Sequence, residues 1–372
     1  VRINSLSLEN YRNIIRCDLT PGEGVNLIVG DNAQGKTNLM EAIWLLTGEK
    51  TFRYGREHDI PRLDMDRETQ RTRVYANVFA EGRDQELEYI LWPRRQVKIN
   101  GITEPGRGAF SGKLCCVIFS PNHLSLVRDG PAERRDFLDG AISQLRPQYI
   151  KVLSDYNRAL AQRSTLLREA FRDRGRLDLL PVFDYHVARL GSLIQVTRQS
   201  YLTRLAEYAA GFHQGISAGK EELSVRYTIG GTGSGILDPE GSREELEQAL
   251  LSLLEQGREE DLRLGSTGVG PHRDDLALQL SGRAARNFAS QGQQRSIVLS
   301  LKLAECEMIA DTMHSQPVVL LDDVMSELDG RRRDALVTAM EGGSQTFITT
   351  ANIDYFNEAM LNKSNVIHLP VV

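Results

Sequence analysis

The segment Gly30-Asp31-Asn32-Ala33-Gln34-Gly35-Lys36-Thr37, set directly behind the apolar run Val25-Asn26-Leu27-Ile28-Val29, constrains this chain more than any other stretch. It is a complete G-x-x-x-x-G-K-T, and chemistry explains the spacing. Two glycines let the backbone wrap a chain of phosphates, and successive N–H groups donate to its oxygens. The helix expected from Asn38 to Leu46 then aims its N-terminus at the charge. Lys36 would reach the β- and γ-phosphates and Thr37 a Mg2+ ion. Gly30, Asp31, Asn32, Ala33, Gln34, Gly35, Lys36 and Thr37 are therefore the expected ATP-binding residues. A chance glycine-rich turn would bring neither the strand before it nor the amphipathic helix after it.

A triphosphate site also needs a carboxylate strand, and Pro317-Val318-Val319-Leu320-Leu321-Asp322-Asp323 supplies one far downstream. Its continuous apolar run suits a central parallel strand buried on both faces. That strand is expected to return beside the one at residue 25. Asp322 is the expected metal residue, sharing Mg2+ with Thr37. Asp323 stands where an acid can orient or deprotonate an attacking water, which makes it the expected catalytic residue. Because it is one methylene shorter than the glutamate usual there in transporter-type ATPases, slow hydrolysis is expected. Asp-Asp alone would read as a helix cap after a strand.

Two further segments narrow the class. Ser290-Gln291-Gly292-Gln293-Gln294-Arg295 precedes a periodic run, Ile297, Leu299, Leu301 and Leu303, that should open a buried helix capped by Ser290. In ABC-type ATPases a signature at this place binds the γ-phosphate held by the other subunit, which assigns Ser290, Gln291, Gly292 and Gln293 to act in trans. Ser326-Glu327-Leu328-Asp329 resembles the D-loop of the same enzymes.

With Leu8-Glu9-Asn10-Tyr11-Arg12-Asn13, Phe119-Ser120-Pro121, Arg134-Arg135-Asp136-Phe137-Leu138-Asp139 and Gly270-Pro271-His272-Arg273-Asp274-Asp275-Leu276, the chain resembles the bacterial RecF family over nearly its whole length. The resemblance implies an ABC/SMC-type ATPase of recombinational DNA repair and the response to DNA damage. It implies an ATP-dependent homodimer on double- and single-stranded DNA, a weak DNA-stimulated ATPase used as a switch, and work with RecO and RecR in loading RecA at gaps. By family position Arg12 and Arg53 would touch the nucleotide. The segment Gln345 to Asn352 occupies the place of the ABC switch histidine but reads Thr349-Thr350-Ala351-Asn352, leaving Thr350 or Asn352 as γ-phosphate sensors. No glutamine near Phe119 to Asn122 marks a Q-loop. Readings from other classes are a transporter-type ABC ATPase subunit, which membrane association would favour, and an ATP-dependent nuclease, which metal-dependent DNA cleavage would expose.

The implied fold is α/β: an ABC-type ATPase head, with a mixed sheet and flanking helices, plus a compact, mainly helical lobe without a long coiled coil. Domain bounds follow the motifs, with residues 1–122 and 266–372 forming the two parts of the head and 123–265 the lobe. Within the lobe Tyr149, Leu153, Tyr156, Leu160 and Leu167 recur at helical spacing, and Pro147 and Pro181 punctuate the helices. Gly230 to Gly235 reads as a loop after a strand from Leu223 to Ile229. His272-Arg273-Asp274 opens a kinase catalytic loop elsewhere, but the nucleotide loop here is of another kind. It could lie near nucleotide or DNA, or form a Pro-initiated turn held by an Arg273 pair with Asp274 or Asp275.

At 372 residues with 41% apolar and 26% charged content, the chain can bury one large core or two ordinary ones. No run approaches the ~20 apolar residues a membrane span needs, and the start at Val1 lacks a signal-peptide core, so a cytoplasmic protein with no membrane partner is expected. Cys17, Cys115, Cys116 and Cys306 lack metal spacing and read as reduced core thiols. A net charge of −5 argues weakly against a nucleic-acid binder. Arginines nonetheless gather in Arg53 to Arg73, Arg94 to Lys98, Arg134-Arg135, Arg158 to Arg176 and Arg331 to Arg333, where each run by itself suits a solvated face.

Overall fold

The computed structural model describes residues 1–31, 33–53, 57–170, 174–230, 241–340, 342–353, 356 and 358–369. The chain forms two compact units, neither continuous in sequence. The first comprises Val1–Leu124, Gly211–Lys220 and Arg295–Val372, and the second Ser125–Ala210 and Glu221–Gln294. These bounds differ from the expected domains chiefly in residues 266–294, which join the second unit.

In the first unit two sheets and one helix share a hydrophobic core. Five strands run parallel in the order Asn365–His368, Val25–Val29, Thr346–Thr350, Val318–Asp322 and Cys116–Phe119. The carboxylate strand Val318–Asp322 is buried at every residue, as its unbroken apolar run requires. It does not lie beside Val25–Val29, contrary to expectation. Thr346–Thr350 pairs with both and separates them, because strand order is set by packing far along the chain. The second sheet is antiparallel, in the order Ile14–Leu19, Arg2–Tyr11, Thr72–Ala80, Arg83–Trp92, Gln96–Ile99 and Ile102–Glu104.

Alternation along these antiparallel strands sends Leu6, Leu8, Val74 and Leu87 into the core, where they meet Leu39 and Ile43 of the helix Lys36–Leu45 and Ile28, Leu320 and Phe347 of the parallel sheet. The helix is therefore buried nearly all round rather than on one face as expected, and even Lys36 and Glu41 are enclosed. Truncating a residue such as Leu39 to Ala should cost about 2–5 kcal/mol. The other face of the antiparallel sheet carries rows of ion pairs: Arg71 with Glu9, Arg73 with Glu9 and Glu88, Lys98 with Glu88, and Arg16 with Asp18.

The second unit is built on Pro131–Leu145, Pro147–Ala170 and most of the 38-residue helix Leu180–Ser217, with shorter helices Arg243–Gln256 and Arg258–Leu264. Pro147 and Pro181 sit in first turns, where the missing N–H costs nothing. Tyr149, Tyr156 and Leu167 are buried as the periodicity implies, while Leu153 and Leu160 are half-buried. A three-stranded sheet, Arg283–Ala284, Asp275–Leu280 and Leu223–Thr228, completes the unit. Its antiparallel ladder from Asp275↔Thr228 to Leu280↔Leu223 draws residues 266–294 here rather than into the head. Gly231 to Gly235 lie outside the described residues.

Buried thiols at Cys17, Cys115 and Cys116 are free cysteines, and burial pushes Cys115 up to about 12. Among the described residues no helix is long and apolar enough to cross a membrane.

Candidate nucleotide-binding site

The phosphate loop begins where Val25–Val29 ends. Gly35 has φ 97°, a left-handed conformation that favours glycine, and a Cβ there would stand 2.9 Å from Asn13 Oδ1. Asn13 supports the loop from the next strand connection: its Nδ2 donates to Ala33 O at 2.7 Å, and its Oδ1 accepts from Asn38 Nδ2 at 2.6 Å. Gln34 Oε1 accepts from the Asp31 N–H at 2.8 Å. The Lys36 ammonium donates to the carbonyls of Gly30 at 2.6 Å and Asp31 at 2.9 Å. It is thus held at the loop by neutral acceptors that phosphate oxygens can replace. Asn32 lies outside the described residues.

Thr37 Oγ1 donates to Asp322 Oδ1 at 2.9 Å, joining two motifs 285 residues apart. Thr349, on the intervening strand and in register with Asp322, donates from Oγ1 to the same Oδ1 at 3.0 Å. The Thr349 oxygen also accepts the Asp323 N–H at 2.9 Å. Asp323 itself is exposed and left-handed, with φ 53°, a conformation Asp tolerates better than most residues. Burial raises the Asp322 carboxyl above its ordinary value; the Thr37 and Thr349 hydroxyls oppose this, Asp323 adds to it, and Arg53 is near enough to oppose it.

A hydroxyl and a carboxylate form an all-oxygen donor pair, which suits Mg2+, a hard ion that takes one or two protein ligands and leaves its other positions to phosphates and water. Among the described residues no group of three or more His, Cys, Asp or Glu side chains is placed to hold a metal by itself.

Arg12 and Arg53 both reach the loop helix, by different routes. Arg12 is bound in a fork by fully buried Glu41, with Nε to Oε2 at 2.9 Å and Nη2 to Oε1 at 2.7 Å, and its Nη1 donates to Asp59 O at 3.2 Å. Thr51 Oγ1 also donates to Glu41. Arg53 Nη1 donates to Asn38 Oδ1 beside the loop. Sequence reasoning missed Glu41, Asn13, Asn38 and Thr349. An acid in the middle of an otherwise apolar helix was a signal for Glu41; Thr349 lay in the switch segment, but only the strand order sets it beside Asp322.

The signature segment belongs to the second unit. Ser290 caps its helix, Gln291–Met313, with Gln293 N donating to Ser290 Oγ at 3.3 Å and Ser290 N to Gln293 Oε1 at 2.7 Å. Ser290 and Gln291 are exposed, Gly292 is half-buried, and Gln293 Nε2 donates to Glu221 Oε1 at 2.8 Å. In the first unit Ser326 to Asp329 forms a turn whose Asp329 carboxylate accepts the Arg332 N–H at 3.1 Å, capping Gly330–Met340. Of the two sensor candidates, buried Thr350 holds the Asn352 backbone through its hydroxyl, and Asn352 is exposed.

Several arginines of the sequence clusters are committed elsewhere. Arg134 is bound in a fork by Asp275, and fully buried Arg163 by Asp184 and Asp261. Arg333 donates to the carbonyls of Met325 and Leu328. The His272 triplet is a Pro-initiated turn, but among the described residues no Arg273–Asp pair holds it. Arg273 donates to Thr267 O, while Asp274 accepts from Gln195, Tyr227 and the Gly230 N–H. His272 Nε2 lies 3.0 Å from Thr267 O, to which it can only donate, and the Nδ1 of that tautomer accepts the Tyr156 hydroxyl hydrogen bond at 2.7 Å.

A phosphate loop and a carboxylate strand meeting on a parallel sheet, backed by an antiparallel sheet around one buried helix, define an ATPase head of the ABC/SMC class. The DNA replication and repair protein RecF of Symbiobacterium thermophilum is 39% identical over 353 residues, covering 95% of this chain and 92% of that protein. The chain belongs to the RecF family. RecF of Gloeobacter violaceus is 38% identical over 368 residues, 98% of this chain and 96% of its own. A family model described as an AAA domain matches residues 5–112. Among solved structures, the recombination mediator protein RecF of the RecFOR pathway, determined with ATP, superposes with a TM-score of 0.84 at 33% identity, covering 94% of this chain and 93% of that one. The Smc head domain of Pyrococcus furiosus, 14% identical with a TM-score of 0.52 over 100% of this chain and 94% of that one, shares the fold.

Proposed function

We propose that this chain is an ATP-switched DNA clamp of replication and recombinational repair. ATP and Mg2+ are sandwiched between the phosphate loop of one copy and Ser290, Gln291, Gly292 and Gln293 of a second. The observation that carries this reading is the Thr37 to Asp322 contact at 2.9 Å beneath the loop. Backbone N–H groups from Gly30 to Thr37, with the Lys36 ammonium, bind the phosphates. Thr37 and Asp322 would hold Mg2+, which would supply positive charge against the phosphates. Arg12 and Arg53 would contact the nucleotide by family position; in the structure Arg12 is bound by Glu41 of the loop helix and Arg53 by Asn38 beside the loop. Asp323 orients water, whose oxygen bonds to the γ-phosphorus as the bond to the ADP oxygen breaks.

Once the γ-phosphate leaves, the opposed helix N-termini lose their shared anion, and the closed dimer loses its differential stabilisation. Family membership supports double- and single-stranded DNA as the clamped partner, RecO and RecR as assistants in RecA loading, and a cytoplasmic setting.

Analytical ultracentrifugation without nucleotide, with ADP and Mg2+, and with ATP and Mg2+ tests this reading. Mass should double only with ATP. Lys36→Ala should abolish tight triphosphate binding, and Ser290→Arg should bind ATP yet remain single. Normal dimerisation of Ser290→Arg would overturn the sandwich.

A further inference from the structure

We propose that the Thr349 hydroxyl is a positioning residue that couples the metal carboxylate to the water-orienting residue, an inference that rests on the nucleotide reading above. Thr349 is buried in Thr346–Thr350, the strand inserted between the phosphate-loop strand and the carboxylate strand. One oxygen serves both acids. Its proton has Asp322 Oδ1 as the nearer acceptor at 3.0 Å, with the Leu321 carbonyl at 3.4 Å, and a lone pair takes the Asp323 N–H at 2.9 Å. A hydroxyl has one proton and two lone pairs, so it can make both bonds at once. Donation to Oδ1 fixes the rotation of the Asp322 carboxylate. Acceptance from Asp323 anchors the left-handed residue at φ 53°, from which its carboxylate projects. The hydroxyl thereby ties the Asp322 carboxylate to the backbone N–H of the residue that follows it. Valine would fill the same space and make neither bond.

The test titrates Mg2+ into the full chain with a fluorescent ATP analogue, comparing the native protein with Thr349→Val, Thr349→Ala and Thr349→Ser. The analogue's affinity in EDTA is measured alongside. Losing an outer hydrogen bond to a metal ligand should raise the Mg2+ midpoint about 10-fold in Thr349→Val and Thr349→Ala, with Thr349→Ser within about 2-fold of native and EDTA affinity unchanged in all three. Single-turnover hydrolysis should fall in the same two variants and recover in Thr349→Ser. An unchanged Mg2+ midpoint in both hydroxyl-free variants overturns the proposal. So does a Thr349→Ser that behaves like Thr349→Val, or a loss of EDTA affinity equal to the Mg2+ effect. If the native protein binds no nucleotide, the ATP reading itself fails.

Discussion

Two buried acid sites, one in each unit, are compensated in opposite ways. In the second unit Asp184 and Asp261 share fully buried Arg163, at 2.7 and 2.6 Å, and Arg258 adds a second guanidinium to Asp184 at 3.2 Å. Asp139 is likewise bound in a fork by Arg198. In the first unit Asp322 is met by two hydroxyls, and among the described residues no ammonium or guanidinium pairs with it. Desolvation of a charge is expensive unless an opposite charge answers it. A carboxylate answered by guanidinium is structural, because its energy is already spent on folding. Asp322, answered only by hydroxyls and set beneath the phosphate loop, keeps its affinity for a cation brought in by a ligand.

Breaking the compensated side should give the largest effect. Arg163→Met leaves buried Asp261 without its cation and Asp184 with Arg258 alone, and should lower stability by about 3–5 kcal/mol in urea unfolding, without touching the nucleotide loop. A loss below about 1 kcal/mol would mean that the acids are wetter than their burial implies. Next comes a pH effect within the same unit. Burial lowers His272 to about 4, so between pH 6.5 and 4 the unfolded chain binds the proton that the native chain refuses. Its contribution is complete above 6.5 and is lost as pH falls, on the order of 2 kcal/mol after solvent screening. His272→Gln should flatten the acid limb of a stability profile; an unchanged limb assigns the loss to other groups.

Asp322→Asn sharpens the contrast. Burial raises the Asp322 carboxyl, so the native state takes a proton more readily than the unfolded chain, and stability falls as pH rises through its folded value. At neutral pH the asparagine variant should therefore melt no lower than the native protein while losing Mg2+-dependent nucleotide binding. A lower melting point would show that the charge itself stabilises the head. The smallest effect is expected at Ser290→Ala, where a lost cap costs about 0.5–2 kcal/mol of local stability, read by hydrogen exchange at the start of Gln291–Met313.

Local chemistry made much of this legible. The glycine spacing located the loop, the unbroken apolar run located Val318–Asp322, and Ser290 ahead of a periodic apolar run located a capped helix start. What stayed hidden depended on partners distant in sequence. Neither the inserted strand Thr346–Thr350, nor the Thr349 contacts it brings, nor the pairing of Asp275–Leu280 with Leu223–Thr228 leaves a periodic trace. Arginine clusters misled for the same reason, since whether Arg134 or Arg163 meets water is decided by acids more than 20 residues away.

The rows of ion pairs on the antiparallel sheet bear on where DNA can lie. Binding to a phosphate backbone draws much of its free energy from released counterions, and only a cation without a protein counter-charge displaces them. Arg16, Arg71, Arg73 and Lys98 each already have a carboxylate. A duplex laid on that face would exchange one anion for another and release few ions. The salt dependence of DNA binding should therefore be nearly blind to neutralising these residues, and a steep slope must originate on another face of the molecule.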